Sequence, residues 1–235
     1  MSASPRPQLA IELRTTASRV AEALRAELLD GAYAPGAPLR EAELSARTGV
    51  SRPTIREALA ELARDGLVVH SLHRGMEVVR LEPADVRDVY GTRRAIEQAG
   101  LARLAGAGEA PQLAALSAAV EAMARAAQAR NRRAVVEADV AFHAALARAC
   151  GLVRLERAHR AAMLELRLAL SVADRADDDQ ATVLASHRRL HERIAAGPRR
   201  EAARALDHHL REAEERVCAV LAQAESPPDR RSSSA

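Results

Sequence analysis

Asp139 and His143 stand four residues apart, and a helix over 131–150 would stack them on one side. Val136, Val140, Leu146 and Ala147 mark an apolar stripe there, and the aspartate and histidine complete the same face. Two later segments repeat the arrangement. Between Ala181 and Ala196 the stripe of Val183, Leu190 and Ile194 leaves one step for His187. In the last helical stretch His209 falls on the stripe of Leu206, Ala213, Val217 and Val220, whereas His208 shares a wet face with Glu212 and Glu215. A carboxylate inside a core face is costly unless something satisfies it. Three neutral imidazoles and a carboxylate converging on one point are the donor set of a divalent cation. Spacing alone leaves the other reading open, because a histidine on an apolar face also serves as a hydrogen-bonded core residue. His159, aligned with Leu155, Met163 and Leu166, reads as core or as support behind the ligands. His191 sits at the edge of its stripe and is set aside.

A second group of chemistry-bearing residues lies in the first third of the chain. Arg52 and Arg56, one turn apart, stand near the start of a helix that Ser51 can cap. They flank the stripe Ile55, Ala58, Leu59 and Leu62. Guanidinium forks match the O6/N7 edge of guanine and the oxygens of phosphate, and a helix N-terminus adds backbone N–H donors. His73 and Arg74 fall at the tip of a turn between two short apolar runs, where a minor-groove or phosphate contact would be made. The alternative is that Arg52 and Arg56 are solvated partners of Glu57 or Glu61.

The elements that would position these groups are legible from periodicity and stop signals. Helices are expected over about 16–30, 41–48 and 51–65, with Gly31, Gly49 and Gly66 ending them. LVVHSLHRGMEVVRL reads as two strands around Arg74-Gly75. This order is that of a winged helix-turn-helix. From Pro83 to Glu225 nearly everything is helical in period, broken at 106–108, Asn131, Gly151, 177–179 and Gly197-Pro198. The fold expected is mainly α: a winged helix-turn-helix of three helices plus a β-hairpin wing, then an all-α bundle of six to seven helices. The divisions expected are a loose tail over 1–15, the DNA-binding unit over 16–81, the bundle over 83–225 and a disordered tail over 226–235.

Composition narrows the classes. Of the 235 residues 48% are hydrophobic but 1% aromatic, with no Trp, so the cores must be built from Ala, Leu and Val. The net charge of +3 says little about partners, and every Lys+Arg position is Arg. DNA binding therefore has to be argued from placement. No apolar run approaches the roughly 20 residues of a membrane span, and MSASPRPQLAIELR lacks a secretory core. Cys150 and Cys218 form neither a disulfide framework nor a paired-Cys metal motif. A soluble cytoplasmic protein is expected.

The stretch PGAPLREAELSARTGVSRPTIREALAELARDGLV resembles the N-terminal domain of GntR-family transcription regulators, a likeness that covers about residues 18–81. It implies DNA contact by Ser51, Arg52, Thr54 and Arg56, with Gly75 shaping the wing. Ala42 departs from the Arg that members often carry in the second helix, which leaves that phosphate contact missing or supplied by Arg40 or Arg47. Pro53 also replaces a residue that can hydrogen-bond in some relatives, and is common in the branch with FadR-like C-terminal (FCD) domains. Residues 85–222 resemble that FCD domain, a bundle that senses small molecules. Many members bind a metal through positions that match Asp139, His143, His187 and His209 here. Zn and Ni are the ions such a nitrogen-rich set suits best.

The same resemblance implies an effector that is a small organic or sugar acid held by the metal. Arg93, on the inward face with Val86, Val89 and Leu104, would anchor its carboxylate or else pair with Glu97 or Asp139 inside the bundle. Ala-rich helices with few aromatics suit a small polar effector better than an acyl chain. The function expected is that of a homodimeric transcription regulator, acting as a repressor, whose two recognition helices meet double-stranded operator DNA and whose effector shifts their spacing. Two rivals stand beside it. One is a metal-dependent hydrolase, against which no general base lies at recognisable spacing. The other is a DNA-binding protein with a purely structural metal.

Overall fold

The computed structural model describes residues 15–72, 74–104, 111–173 and 180–225. The expected tails, His73 and the chain breaks at 106–108 and 177–179 lie outside the described residues.

Three helices open the chain: α1 (Thr16–Leu29), α2 (Glu41–Thr48) and α3 (Arg52–Arg64). Thr15 caps α1, its side chain accepting from the Ser18 N–H, and Ser51 caps α3 by accepting from the Thr54 N–H. The turn joining α2 to α3 needs a left-handed residue, and Gly49 supplies it at φ +71°. β1 (Val68–Ser71) and β2 (Gly75–Val78) pair antiparallel, with Val68 opposite Val78 and Ser71 opposite Gly75. Val20, Leu24, Leu28, Leu44, Ile55, Leu59 and Leu62 bury together with Leu67, Val68 and Val78, so the three stripes and the hairpin close on one small core. Arg25 of α1 is paired with Asp65 at the end of α3.

Six further helices follow among the described residues: α4 (Pro83–Leu104), α5 (Pro111–Gln128), α6 (Arg132–Ala149), α7 (Val153–Ala173), α8 (Gln180–Ala196) and α9 (Arg199–Glu225). Asn131 caps α6 by accepting from the Ala134 N–H. Leu, Val and Ala from these helices form a second core around Val86, Leu116, Phe142, Leu146, Leu166, Leu206 and Leu210. The scarcity of aromatics has a visible consequence where α4 crosses α6. A Cβ on Gly100 would lie 1.8 Å from the carbonyl oxygen of Leu146, so the two backbones touch. No described helix is long and apolar enough to cross a membrane.

The stripe read on α6 needs correction. Its most buried residues include Val135, Ala138, Phe142 and Ala145, while Val136 and Val140 are half-buried. The helix packs on more than one side, so its covered face is wider than a single stripe. The row Val136–Asp139–His143 lines a cavity and not solid core. On α9 likewise Leu210 and Leu221 are buried, while Ala213 and Val220 stand at the cavity wall.

α7 belongs to both cores. Met163, Leu166 and Ala169 pack in the bundle, while Leu168, with Leu164 beside it, packs among the side chains of the winged helix.

Candidate functional site

α6, α8 and α9 bring His143, His187 and His209 to one point. Nε2 of His143 lies 3.3 Å from Nε2 of His187 and 3.4 Å from Nε2 of His209, and all three rings are buried. Asp139, one turn before His143, places Oδ1 2.8 Å from Nε2 of His187 and 3.7 Å from Nε2 of His143. The three histidines singled out by helical spacing therefore come together, with Asp139 beside His187 and His143. His208 is exposed beside Glu212, and Nε2 of His191 turns away to Ser117 at 2.9 Å.

The far side of each ring is engaged. Nδ1 of His143 donates to Glu97 at 2.7 Å, and Nδ1 of His187 donates to the Val183 carbonyl at 2.8 Å. Nδ1 of His209 is 2.9 Å from the Ser186 hydroxyl. With their Nδ1 protons given outward, His143 and His187 turn Nε2 toward each other and toward the Asp139 carboxylate, where a shared proton or a bound cation would bridge them. The donor set thus fits a divalent cation of the kind that imidazole and carboxylate hold.

The charge states agree with this. Burial, then the neighbouring His187 and His143, holds His209 well below the usual histidine range. Burial lowers His143 too, against the pull of Glu97. Burial would raise Asp139, but His187, His143 and Arg93 outweigh it and the carboxyl ends below its usual range. At neutral pH His143 and His209 are therefore neutral imidazoles beside an ionised Asp139 carboxylate.

Behind His143 lies a group that the sequence reading had named only as a pairing choice for Arg93. Glu97 is fully buried, and its Oε1 accepts from Nε of Arg93 at 3.0 Å and from Nε2 of His159 at 2.9 Å. A carboxylate bonded to the far nitrogen of a metal-facing histidine fixes the tautomer and aim of the ring. Its signal was present in the sequence, since Glu97 sits one turn beyond Arg93 on the inward face of α4. His159 thus supports the site from behind.

Arg93 is buried, pairs with Glu97 and has its guanidinium carbon 4.8 Å from the Tyr90 ring centroid. It still borders a cavity of about 170 Å³ whose wall also includes Tyr90, Asp139, Leu170 and Arg216 and whose floor is the histidine cluster. Burial pushes the Tyr90 hydroxyl up to about 12, so it stays neutral there.

At the other end, Ser51, Arg52 and Arg56 are exposed and Thr54 is half-buried, all in the first turns of α3. Arg56 pairs with neither Glu57 nor Glu61; its Nε and Nη2 donate to the two oxygens of Glu41 on α2, each at 2.9 Å. Arg74 stands at the wing turn, 3.5 Å from Glu77, and Gly75 opens β2 at φ +78°. Arg40 bonds Glu43, and Arg47 bonds Glu27.

Residues 16–78 match the bacterial regulatory proteins of the gntR family, and residues 88–212, more than half the chain, match the FCD domain. The chain belongs to the GntR family. As an FCD-bearing GntR regulator it is a transcriptional regulator and not an enzyme, so the hydrolase reading falls. It is 34% identical over 199 residues to a Paenarthrobacter nicotinovorans protein described as "Probable D-xylose utilization operon transcriptional repressor", covering 83% of this chain and 86% of that one. A GntR transcriptional regulator of Rhodococcus sp. RHA1 superposes with a TM-score of 0.76 at 31% identity, over 86% of this regulator and 97% of that chain. Escherichia coli McbR/YncC, 17% identical, shares the fold with a TM-score of 0.73 over 91% of this regulator and 100% of that chain.

Proposed function

We propose that this GntR regulator is a homodimeric repressor whose grip on operator DNA is set by a small acid bound beside a divalent cation. His143, His187 and His209, with Asp139, would hold the cation, Zn or Ni in first place. Once bound, it would supply a positive centre for one oxygen of an anionic effector. The observation that carries this reading is the meeting of three buried histidine rings at one point with a carboxylate beside two of them, the donor set of a divalent cation.

Charge and size support an acidic effector of a few carbons. Arg93 and Arg216 border the cavity together with the neutral hydroxyl-bearing Tyr90. A cavity of about 150 Å³ holds one benzene-sized molecule. The space here, about 170 Å³, therefore suits a small organic or sugar acid. The Paenarthrobacter relative is described as a D-xylose utilization repressor, which accords with a small polar effector but not with its acidity.

Toward DNA, Arg52 and Arg56 would enter the major groove, with Ser51 and Thr54 at the helix N-terminus and His73, Arg74 and Gly75 at the wing. The working division places the DNA-binding unit at 16–81 and the sensing and dimerisation unit at 83–225, with tails at 1–15 and 226–235.

The test combines elemental analysis of the purified chain with operator binding at fixed salt. A panel of three- to six-carbon acids is added with and without chelator. About one Zn or Ni per chain, and an acid that weakens operator binding only in the metal-loaded protein, is the expected result. A chelated protein that unfolds outright would instead assign the metal a structural role. A protein that takes up no metal would overturn the reading.

A further inference from the structure

We propose that Glu97 is a positioning residue that joins the histidine cluster to helix α7, so that occupation of the cluster sets how α7 seats against the winged helix. This rests on the metal reading above and deepens it by naming the path between the two ends of the molecule.

Glu97 has no exposed surface, and three donors from three helices converge on its two oxygens. Arg93 of its own helix α4 and His159 of α7 share Oε1, while His143 of α6 holds Oε2. A carboxylate fixed on both oxygens cannot turn toward one partner without changing its fit to the others. A cation on Nε2 of His143 withdraws charge from the ring and makes its Nδ1–H a stronger donor, which draws Glu97 toward His143. The contact at risk is then the one from Oε1 to His159.

His159 is itself buried, and the helix that carries it reaches the DNA-binding unit. One turn and more along, Met163 and Leu166 lie in the bundle core, while Leu164 and Leu168 pack among the winged-helix side chains. Between them Glu165 lies so close to Gly66, the residue that ends the recognition helix segment, that a Cβ there would come within 2.8 Å of Oε1. Gly66 also has a φ of +75°, which favours glycine there, and a side chain would have to push the Glu165 carboxylate aside. α7 is therefore a rigid element with one side in each core. Its movement is a movement of the surface on which the winged helix rests.

The experiment uses the full chain with Zn²⁺ as the only probe. Zinc affinity is read by competition with a fluorescent chelator, and amide hydrogen exchange across 153–173 and 52–68 is compared with and without zinc. In the parent protein zinc changes exchange in both segments. Glu97→Gln, whose amide nitrogen cannot accept from either histidine, weakens zinc binding about 10–100-fold. His159→Leu, which frees Oε1 from its competing donor, shifts zinc affinity far less than Glu97→Gln does but removes the zinc response of 52–68, and His159→Gln, which can still donate to Oε1, restores it. A folded Glu97→Gln with parent-like zinc affinity, or a His159→Leu protein that keeps the full response, overturns the proposal while leaving the metal reading intact. If Glu97→Gln fails to fold, the two His159 variants decide alone. A parent protein that binds no zinc overturns the proposal, and one that takes up no nickel either overturns the metal reading with it.

Discussion

Nε2 of His187 lies 2.8 Å from Oδ1 of Asp139, across the gap between α8 and α6. With its Nδ1 proton donated to the Val183 carbonyl, His187 presents Nε2 to the carboxylate, where a proton or a bound cation would bridge the two.

Replacing both His187 and His209 with Ala removes two of the three imidazoles while leaving Phe142, Leu190 and Leu206 of the surrounding core in place. Stoichiometric zinc uptake should vanish by elemental analysis. Circular dichroism should still report a helical protein. Retained metal would disprove the assignment of the cluster.

Acid should destabilise the metal-free protein. His209 and His143 are held below the ordinary histidine value of about 6.5, so between the two values the unfolded chain binds protons that the folded chain refuses. Stability then rises with pH. Burial would raise Asp139 and Glu97, but the surrounding imidazoles and Arg93 leave both lowered, which gives the same sign at lower pH. In chelator, the melting temperature should therefore be full above about pH 7, drop as pH falls through about 6.5, and drop again through about 4. A flat profile from pH 8 to 5 would contradict the buried, neutral state of these rings.

Gly100→Ala should cost about 3 kcal/mol or more, because the new methyl group would stand 1.8 Å from the Leu146 carbonyl oxygen and a backbone cannot yield as a side chain does. Chemical denaturation measures it. Since α4 and α6 carry Glu97 and His143, the same variant should also weaken zinc binding. Parent-like stability would mean that the two helices can part easily.

On the DNA side, Arg56→Ala should weaken operator binding about ten-fold or more at fixed salt, with an unchanged melting temperature. Glu41→Gln should act oppositely, tightening binding a few-fold, because Glu41 occupies both arms of Arg56 in the free protein and brings a negative charge toward the phosphates. Gel-shift titrations at two salt concentrations would separate these outcomes. Unchanged affinity in both variants would remove Arg56 from the interface.

Much of this was written in local pattern. Ser51 followed by Arg52-Pro53-Thr54 announces a capped helix start, Gly49 a left-handed turn, and Asp139 with His143 a shared helix face. Each depends only on residues within a turn or two, where spacing maps directly onto direction in space. Helical period also separates His209 from His208, which is why the buried ring could be told from the wet one.

What periodicity could not supply was who stands opposite. Glu41 and Arg56 come from different helices, and so do Glu97, His143 and His159; no spacing within one helix encodes such meetings. The breadth of the covered face on α6 likewise depends on how many neighbours pack around it. The chain's own order of residues settled which side each helix turns inward. Only the packing of helix on helix decided that three inward histidines share one point with Asp139 beside two of them, that a buried carboxylate stands behind His143, and that α7 lies in both cores, because side chains distant in sequence acquire a distance only when the backbone brings them together.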